Sequence, residues 1–373
     1  MGVYKIFPSQ DTTIYTDYNT LNTGLDSILD LSKNMSNLYP SSSTSRVLIQ
    51  FSNTDITDAI SKITGGYTAS LKLYNANVEG IPTNFNINVN PVYESWDMGT
   101  GRYGEQPEPN NGCSWKYRSA NQTNAWTITG LPGGVASNYF LANGGGANWY
   151  TTYGVTQSFN FFSNKDIDIN VTSTVNAWAS SSIVNNGFII MNSTSSSPTG
   201  TGSFEFDPSY EYTFNFFSRD TNTIYPPCLE FKWNDSTITT SSAAVTVSNE
   251  EINIAIANNK NIFYDNEYVR FRVYAREKYP QRVYSSQSLY KYNKILPVAS
   301  TYYSLIDLTT NNIVIDFDNI ATKLSADDTS SYFRLYMNGL EPDRYYKIQI
   351  KSIIDGGTYI YDDDYYFKVE QTV

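Results

Sequence analysis

Glu94 and Asp97 stand three residues apart in the stretch Val89-Asn-Pro-Val-Tyr-Glu-Ser-Trp96-Asp97. Two carboxylates flanking a bond at a defined separation is the arrangement that glycoside hydrolysis uses. Along a strand, residues i and i+3 point to opposite faces. This pair therefore meets only if the chain turns at Trp96, and solvated turn residues are the plainer reading. No histidine occurs anywhere in the 373 residues. That removes the commonest general base, any Ser-His-Asp triad and any His-containing zinc site. The two cysteines, Cys113 and Cys228, are too few for an all-cysteine zinc site, and nothing in their spacing requires them to pair. Gly144-Gly-Gly146 is not followed by Lys-Ser/Thr and is no phosphate loop. No catalytic residue, cofactor or metal site is predicted, and the chain is expected not to be an enzyme.

The remaining chemistry is that of binding. Asp17, Asp26 and Asp30, and separately Asp362-Asp-Asp364, offer hard oxygen ligands of the kind calcium takes, but no spacing matches an EF-hand loop. The alternative is incidental acidic turns. For Asp362–Asp364 the sequence predicts a hairpin turn between Tyr359-Ile-Tyr361 and Tyr365-Tyr-Phe367. Trp115, Trp126 and Trp149, with Trp96, could form a platform on which a glycan stacks. In the competing reading Trp96 is core and the others pin a loop. Arg270, Arg272 and Arg276, with Lys278, Arg282 and Lys291 following, form the densest basic cluster of an acidic chain. Alternation along Tyr268–Glu277 puts Arg270, Arg272, Tyr274 and Arg276 on one face, opposite Val269, Phe271, Val273 and Ala275. This is either a solvated strand face or a docking face for an acidic neighbour, where charge complementarity sets register and partner.

These residues must be positioned by strands. Tyr numbers 32 and Phe 19, charged residues are only 16%, and no stretch carries a long 3.6-residue apolar period. The fold class predicted is all-β, two β-sandwich domains (jelly-roll or immunoglobulin-like) in tandem, residues 1–234 and 235–373, the boundary falling in the Asn/Asp/Ser/Thr run 234–242. In the first domain, Ser45–Phe51 reads as a core strand and Asp55–Ile63 as a short helix closed by Gly65-Gly66. Val175 and Trp178 mark a helical turn. Residues 99–151, rich in Gly, Pro, Asn and Ser, form a long excursion, expected to be dispensable for folding and to carry contacts with something else. The second domain shows seven or eight strands between Ala244 and Val369. The net charge of −11, without a basic run, argues against nucleic acid. No apolar run is long enough to span a membrane, and the N-terminus lacks the apolar core of a signal peptide.

Two sets of motifs carry resemblances. Leu340-Glu-Pro342-Asp-Arg-Tyr-Tyr346-Lys-Ile348-Gln-Ile350 resembles the tyrosine corner of fibronectin type III and immunoglobulin-like sandwiches, with Leu340, Pro342 and Tyr346 as its marks. In the first 233 residues the order runs Ala69-Ser-Leu-Lys-Leu, Tyr93-Glu-Ser-Trp96, Ile167-Asp-Ile-Asn-Val with Trp178, Asn186-Gly-Phe, Ser218-Arg-Asp220 and Pro227-Cys-Leu. This order resembles the DNRLRE-type β-sandwich, which is related to a carbohydrate-binding module family. Met98 and Asp220 depart from its pattern, and the 99–151 excursion is longer than it. The whole chain, with its opening Val3–Tyr15, Leu21–Asp26 and Arg270–Arg282, is similar to structural proteins of contractile-tail bacteriophages. The resemblance implies a non-enzymatic virion component of tail, neck or capsid. It would be assembled in the host cytoplasm as a homo-oligomer among other virion proteins, without nucleic acid or membrane as partner. The alternative is a carbohydrate- or receptor-binding module, with a glycan as partner.

Overall fold

The computed structural model describes residues 2–34, 43–80, 84–105, 109, 111–119, 123–137, 145–192, 205, 211–241, 245–247, 251–279 and 294–372. These are almost all β, in several antiparallel sheets, with α-helices at Asn53–Ser61 and Thr172–Ala179. The all-β expectation holds. Among the described residues no helix is long and apolar enough to cross a membrane. The chain divides into two compact units: Met1–Lys5, Lys62–Tyr67 and Phe231–Val373 in one, and Ile6–Ser61 with Thr68–Glu230 in the other. The predicted boundary at 234/235 lies close to the last of these divisions. The sequence has no signal that would assign residues 1–5 and 62–67 to the C-terminal unit.

The larger unit holds an eight-stranded sheet in the order Val155–Asn160, Asn84–Pro91, Phe188–Asn192, Ser43–Gln50, Ile28–Asn34, Tyr212–Phe217, Asn75–Glu79, with Gln10–Tyr15 also paired to Ser43–Gln50. Its centre does not alternate. Thr44–Ile49 and Phe188–Asn192 are buried at every position, so both faces of the sheet are covered there. On one face the register aligns Leu48 with Thr12 and Ile189, and Arg46 with Ile14. That face packs into a cluster of Ile14, Leu48, Ile189, Met191, Val92 and Trp96 together with Cys113, Trp115, Trp126, Ala147 and Trp149. The described residues of the 99–151 excursion in this cluster therefore cover the sheet, and the excursion's expected dispensability is overturned. The predicted helix is observed at Asn53–Ser61, burying Ile56 and Ala59. The helical turn predicted from Val175 and Trp178 is the helix Thr172–Ala179, whose Trp178 packs on Phe188 at 4.7 Å between ring centroids.

A polar knot fixes where the excursion leaves and returns. Asn22 Nδ2 donates to Met98 O at 2.7 Å and Cys113 O at 2.8 Å, and Asn22 Oδ1 accepts from Gly101 N at 2.8 Å. The backbones pass too closely for side chains. Gly99 and Gly112 both have positive φ (78° and 98°), and a Cβ on Gly112 would sit 2.5 Å from Gly99 Cα. Asn22→Ala leaves two buried carbonyls and one amide without partners, and is expected to cost about 2–3 kcal/mol in chemical unfolding. A loss below about 0.5 kcal/mol would show that the knot does not hold the layer in place.

The smaller unit has two sheets. One runs Ile238–Thr239, Ser325–Asp327, Ser331–Tyr336, Tyr268–Glu277, Ile252–Ala257. The other runs Ile262–Tyr264, Tyr366–Glu370, Arg344–Ile354, Thr301–Asp307, Asn312–Ile315, with Gly357–Tyr361 also on Arg344–Ile354. Their inner faces share one apolar cluster that includes Phe263, Phe271, Phe333, Tyr303, Leu340, Tyr346 and Phe367. The tyrosine corner is formed: Tyr346 Oη donates to Glu341 O at 2.8 Å, beside buried Leu340, while Pro342 is exposed at the bend. The predicted hairpin around Asp362–Asp364 is not formed. Gly357–Tyr361 pairs with Ile350–Ile354 and Tyr366–Glu370 with Arg344–Lys347, so both flank one long strand and the aspartates span between them. Lys347 Nζ draws the span in, 2.6 Å from Asp362 and 3.3 Å from Asp364. At the start of the strand-rich stretch that opens at Ala244, residues 244 and 248 lie outside the described residues, and Thr246 makes an isolated bridge to Ile295.

Candidate functional site

The tryptophans do not form a binding platform. Trp96, Trp115, Trp126 and Trp149 are between 1% and 6% exposed. Trp96 Nε1 donates to Asn186 O at 2.8 Å and Trp126 Nε1 to Ser114 O at 3.0 Å, so both ring N–H groups are spent inside the fold. Trp115, Trp126 and Trp149 are thereby corrected from interaction candidates to core, as is the glycan reading built on them. The physical reason is that the sheet face beneath them is apolar and has to be covered.

At the centre of this layer is a residue that sequence reasoning passed over. The Arg46 guanidinium lies between two indole rings, 4.9 Å from the Trp115 centroid and 5.1 Å from that of Trp149. It binds Glu205 through both arms, Nε to Oε1 at 2.7 Å and Nη2 to Oε2 at 2.8 Å, and Nη1 donates to Gly146 O. Both side chains are buried, 1% and 0% exposed. A bidentate fork of this kind also fixes geometry. Here it ties the central strand to the excursion and to the segment carrying Glu205.

Glu94 is a holding group too. Its carboxylate accepts from Thr127 N at 2.9 Å, Thr127 Oγ1 at 2.8 Å and Asn148 Nδ2 at 2.6 Å, with Arg118 Nε at 3.7 Å. These contacts occupy its oxygens, so the Glu94/Asp97 hydrolytic pair is not built. Cys113 and Cys228 are buried free thiols. Burial pushes the Cys113 thiol well up, as expected of an inert core cysteine.

On the outer face of the strand Tyr268–Glu277 the basic residues divide. Arg272 is neutralised: Nη2 lies 2.9 Å from Asp327 Oδ2, and Nη1 donates to Asp327 Oδ1 at 3.1 Å and Ser330 Oγ at 2.8 Å. Burial pushes the Asp327 carboxyl up. The bonds from Arg272, from the Thr329 hydroxyl and from the Thr329 and Ser330 N–H groups outweigh this and hold it well below the usual carboxylate range. Arg272 thus belongs to the fold, a correction to its reading as a docking residue. Arg270 stands directly opposite Arg334 in register, their guanidiniums 4.6 and 5.6 Å from the ring centroid of Tyr332. Among the described residues neither has a carboxylate partner. Arg276 is exposed, opposite Asn253. Arg282 and Lys291 lie outside the described residues. Arg334 was missed because its strand reads as apolar. Only the register shows that it shares a face with Arg270.

A second feature is a cavity of about 540 Å³ in the larger unit. Its lining gathers Asp17, Asp26 and Asp30 with Tyr15, Tyr18 and Tyr103, plus Ser27, Ser32, Ser43 and Asn215. The Tyr103 ring lies 5.5 Å from Tyr15 and 5.7 Å, edge to face, from Tyr18. Asp26 seats it by accepting the Tyr103 N–H at 3.1 and 3.2 Å. Asp30 Oδ2 accepts from Ser32 Oγ at 3.0 Å. Asp30 Oδ1 and Asp17 Oδ1 are buried without a well-formed hydrogen bond, although the Tyr15 hydroxyl stands near Asp30. Burial pushes the Asp30 carboxyl up to about 6. No group of three ligating side chains close enough to hold a metal occurs among the described residues, so the calcium reading of Asp17, Asp26 and Asp30 finds no assembled site.

No family model matches the chain, and no curated protein does. Among solved structures it aligns with a DUF4785 family protein from Legionella pneumophila (TM-score 0.18, 7% identity, 99% of this chain and 62% of that one). It also aligns with the adhesin domain of Epf from Streptococcus pyogenes (TM-score 0.17, 9% identity, 100% and 92%). The chain thus spans less than two thirds of the first of these, and at such scores the alignments carry no functional meaning.

Proposed function

We propose that this protein is a non-enzymatic structural component of a bacteriophage virion that acts by docking onto other protein subunits, copies of itself included. The observation that carries the docking half of this reading is the Arg270–Arg334 pair. Like charges directly opposite each other on neighbouring strands destabilise a sheet. Here two guanidiniums share one tyrosine face with no acid among the described residues to offset them. An acidic partner surface relieves that repulsion, and a chain of net charge −11 supplies one in each further copy. Exposed Arg276 extends the patch, and Tyr268 stacked on Tyr336 at 4.0 Å lends it an aromatic border of the kind enriched at interfaces. The virion half rests on the sequence resemblance.

The test has two parts. Mass spectrometry of purified particles is expected to find the polypeptide at a fixed copy number, and its absence would refute the virion reading. Arg270→Gln with Arg334→Gln, which removes both charges, is expected to reduce incorporation at least tenfold while leaving the unfolding midpoint of the isolated chain unchanged or raised. Normal incorporation of the double variant would refute the docking face.

A further inference from the structure

We propose that the cavity between Tyr15, Tyr18 and Tyr103 is a binding site for a primary alkylammonium group, from a free polyamine or from a lysine side chain. This does not depend on the assembly reading. Three features of the site point the same way. First, the cavity is large enough for a small ligand, about 540 Å³, and among the described residues its walls contain three carboxylates and no lysine or arginine. Second, two of its walls are tyrosine rings packed on a third, Tyr103, at 5.5 and 5.7 Å. Faces of this kind attract a cation through the ring quadrupole. Tyr18 and Tyr103 are about half exposed, so a ligand can reach the box from solvent. Third, Asp17 Oδ1 is a buried acceptor without a hydrogen bond, and Asp30 Oδ1 has only the Tyr15 hydroxyl near it, without a well-formed bond. Leaving such atoms unsatisfied costs free energy.

The three features together select the chemistry. A neutral sugar supplies hydroxyl donors but no charge to offset the carboxylates. A quaternary ammonium offers charge but no N–H. A metal ion needs ligands already gathered around one point, and no such group is assembled among the described residues. A primary ammonium has three N–H donors and a positive charge on a slim apolar stem. It can donate to Asp17 and Asp30 while the stem lies against the tyrosine faces. Asp26 does not take part in binding directly. Its two oxygens hold the Tyr103 N–H, so it sets the position of one wall.

Isothermal titration of the full chain tests this with n-butylammonium as the probe. Its controls are n-butanol, the uncharged analogue, tetramethylammonium, which has no N–H, and calcium. The expected result is saturable binding of n-butylammonium, with each control at least tenfold weaker. Asp30→Asn and Tyr103→Leu are each expected to weaken binding at least tenfold. Tyr103→Phe, which keeps the ring, is expected to retain it. Circular dichroism melts confirm that the variants are folded, and because Tyr103 is half exposed its variants remain informative if Asp30→Asn does not fold. Putrescine against Nα-acetyl-lysine methylamide then separates a free polyamine from a lysyl side chain as the source. No binding of n-butylammonium, equal binding of any control, or binding indifferent to Tyr103→Leu would overturn the proposal.

Discussion

Glu205→Ala is expected to destabilise the larger unit by about 3–5 kcal/mol, and the double replacement Arg46→Met with Glu205→Met by less than either single change. The asymmetry follows from burial. Arg46 and Glu205 are out of contact with water, so removing the carboxylate leaves a guanidinium charge that solvent does not reach and that is paired with no other acid among the described residues. The Gly146 carbonyl and the two indole faces offset part of this cost, which keeps the expected loss finite. When both charges are replaced by apolar side chains of similar length, the desolvation penalty of both ions disappears together with their attraction. Urea unfolding followed by tryptophan fluorescence is the suitable measurement, because Trp96, Trp115, Trp126, Trp149 and Trp178 all lie in this unit. A single variant within about 1 kcal/mol of the parent would mean that the pair does not hold the excursion to the sheet. A double variant worse than both singles would mean that packing around Arg46, not its charge, is what matters.

The second large effect concerns pH. Asp11 lies in the strand Gln10–Tyr15 and is almost fully buried, with Oδ2 accepting the Arg219 N–H at 2.7 Å. Burial, opposed in part by that hydrogen bond and reinforced by Asp220, raises its carboxyl to about 7. The unfolded value is the ordinary one, 3.8. The folded chain therefore binds a proton that the unfolded chain releases between these two values. The contribution of Asp11 to stability is greatest below about pH 4, falls as pH rises toward 7, and is flat above it. Over the whole window the loss is about 4 kcal/mol, and between about pH 5.5 and pH 8 about 2 kcal/mol. Asp11→Asn keeps an oxygen for the Arg219 N–H but has no proton to lose, so between about pH 5.5 and pH 8 its unfolding free energy is expected to fall by about 2 kcal/mol less than that of the parent. Asp30, held at about 6 by burial, adds a smaller slope of the same sign that the variant retains. If the parent and Asp11→Asn showed the same pH dependence, Asp11 would not be the group responsible.

Both effects belong to polar residues inside an apolar core, and neither was legible in the sequence. Arg46 reads there as one position of a core strand, and Asp11 as one polar position of the opening stretch Val3–Tyr15. Charged residues are expected at the surface unless a partner is in view, and the partner of Arg46 is 159 positions away. The same distance problem explains the tryptophans. Their number marked them as anchors, but whether an aromatic residue faces solvent or core is decided by which sheet it covers. Trp115, Trp126 and Trp149 fall on the face formed by Ile14, Leu48, Ile189 and Met191.

What the sequence determined by itself is local in origin. The abundance of tyrosine and other residues that favour strands, with turn residues between them, established an all-β chain. The spacing of Ile56 and Ala59 established a helix, predicted at Asp55–Ile63 and formed two residues earlier, at Asn53–Ser61. The order Leu340, Pro342, Tyr346 established a tyrosine corner, because a ring buried at a strand entrance must bond its hydroxyl to the nearby backbone. Alternation along Tyr268–Glu277 separated Phe271, Val273 and Ala275 from Arg270 and Arg276. Tertiary structure alone decided register and covering. Register placed Arg334 opposite Arg270, gave Arg272 its carboxylate in Asp327, and set Gly357–Tyr361 and Tyr366–Glu370 along one strand where a hairpin was expected. Covering made the excursion a layer of the core and drew Tyr15, Tyr18 and Tyr103 around one cavity with Asp17, Asp26 and Asp30. Side-chain periodicity is written in neighbouring residues, whereas the choice of which distant segment lies across a sheet or over it is set by long-range burial.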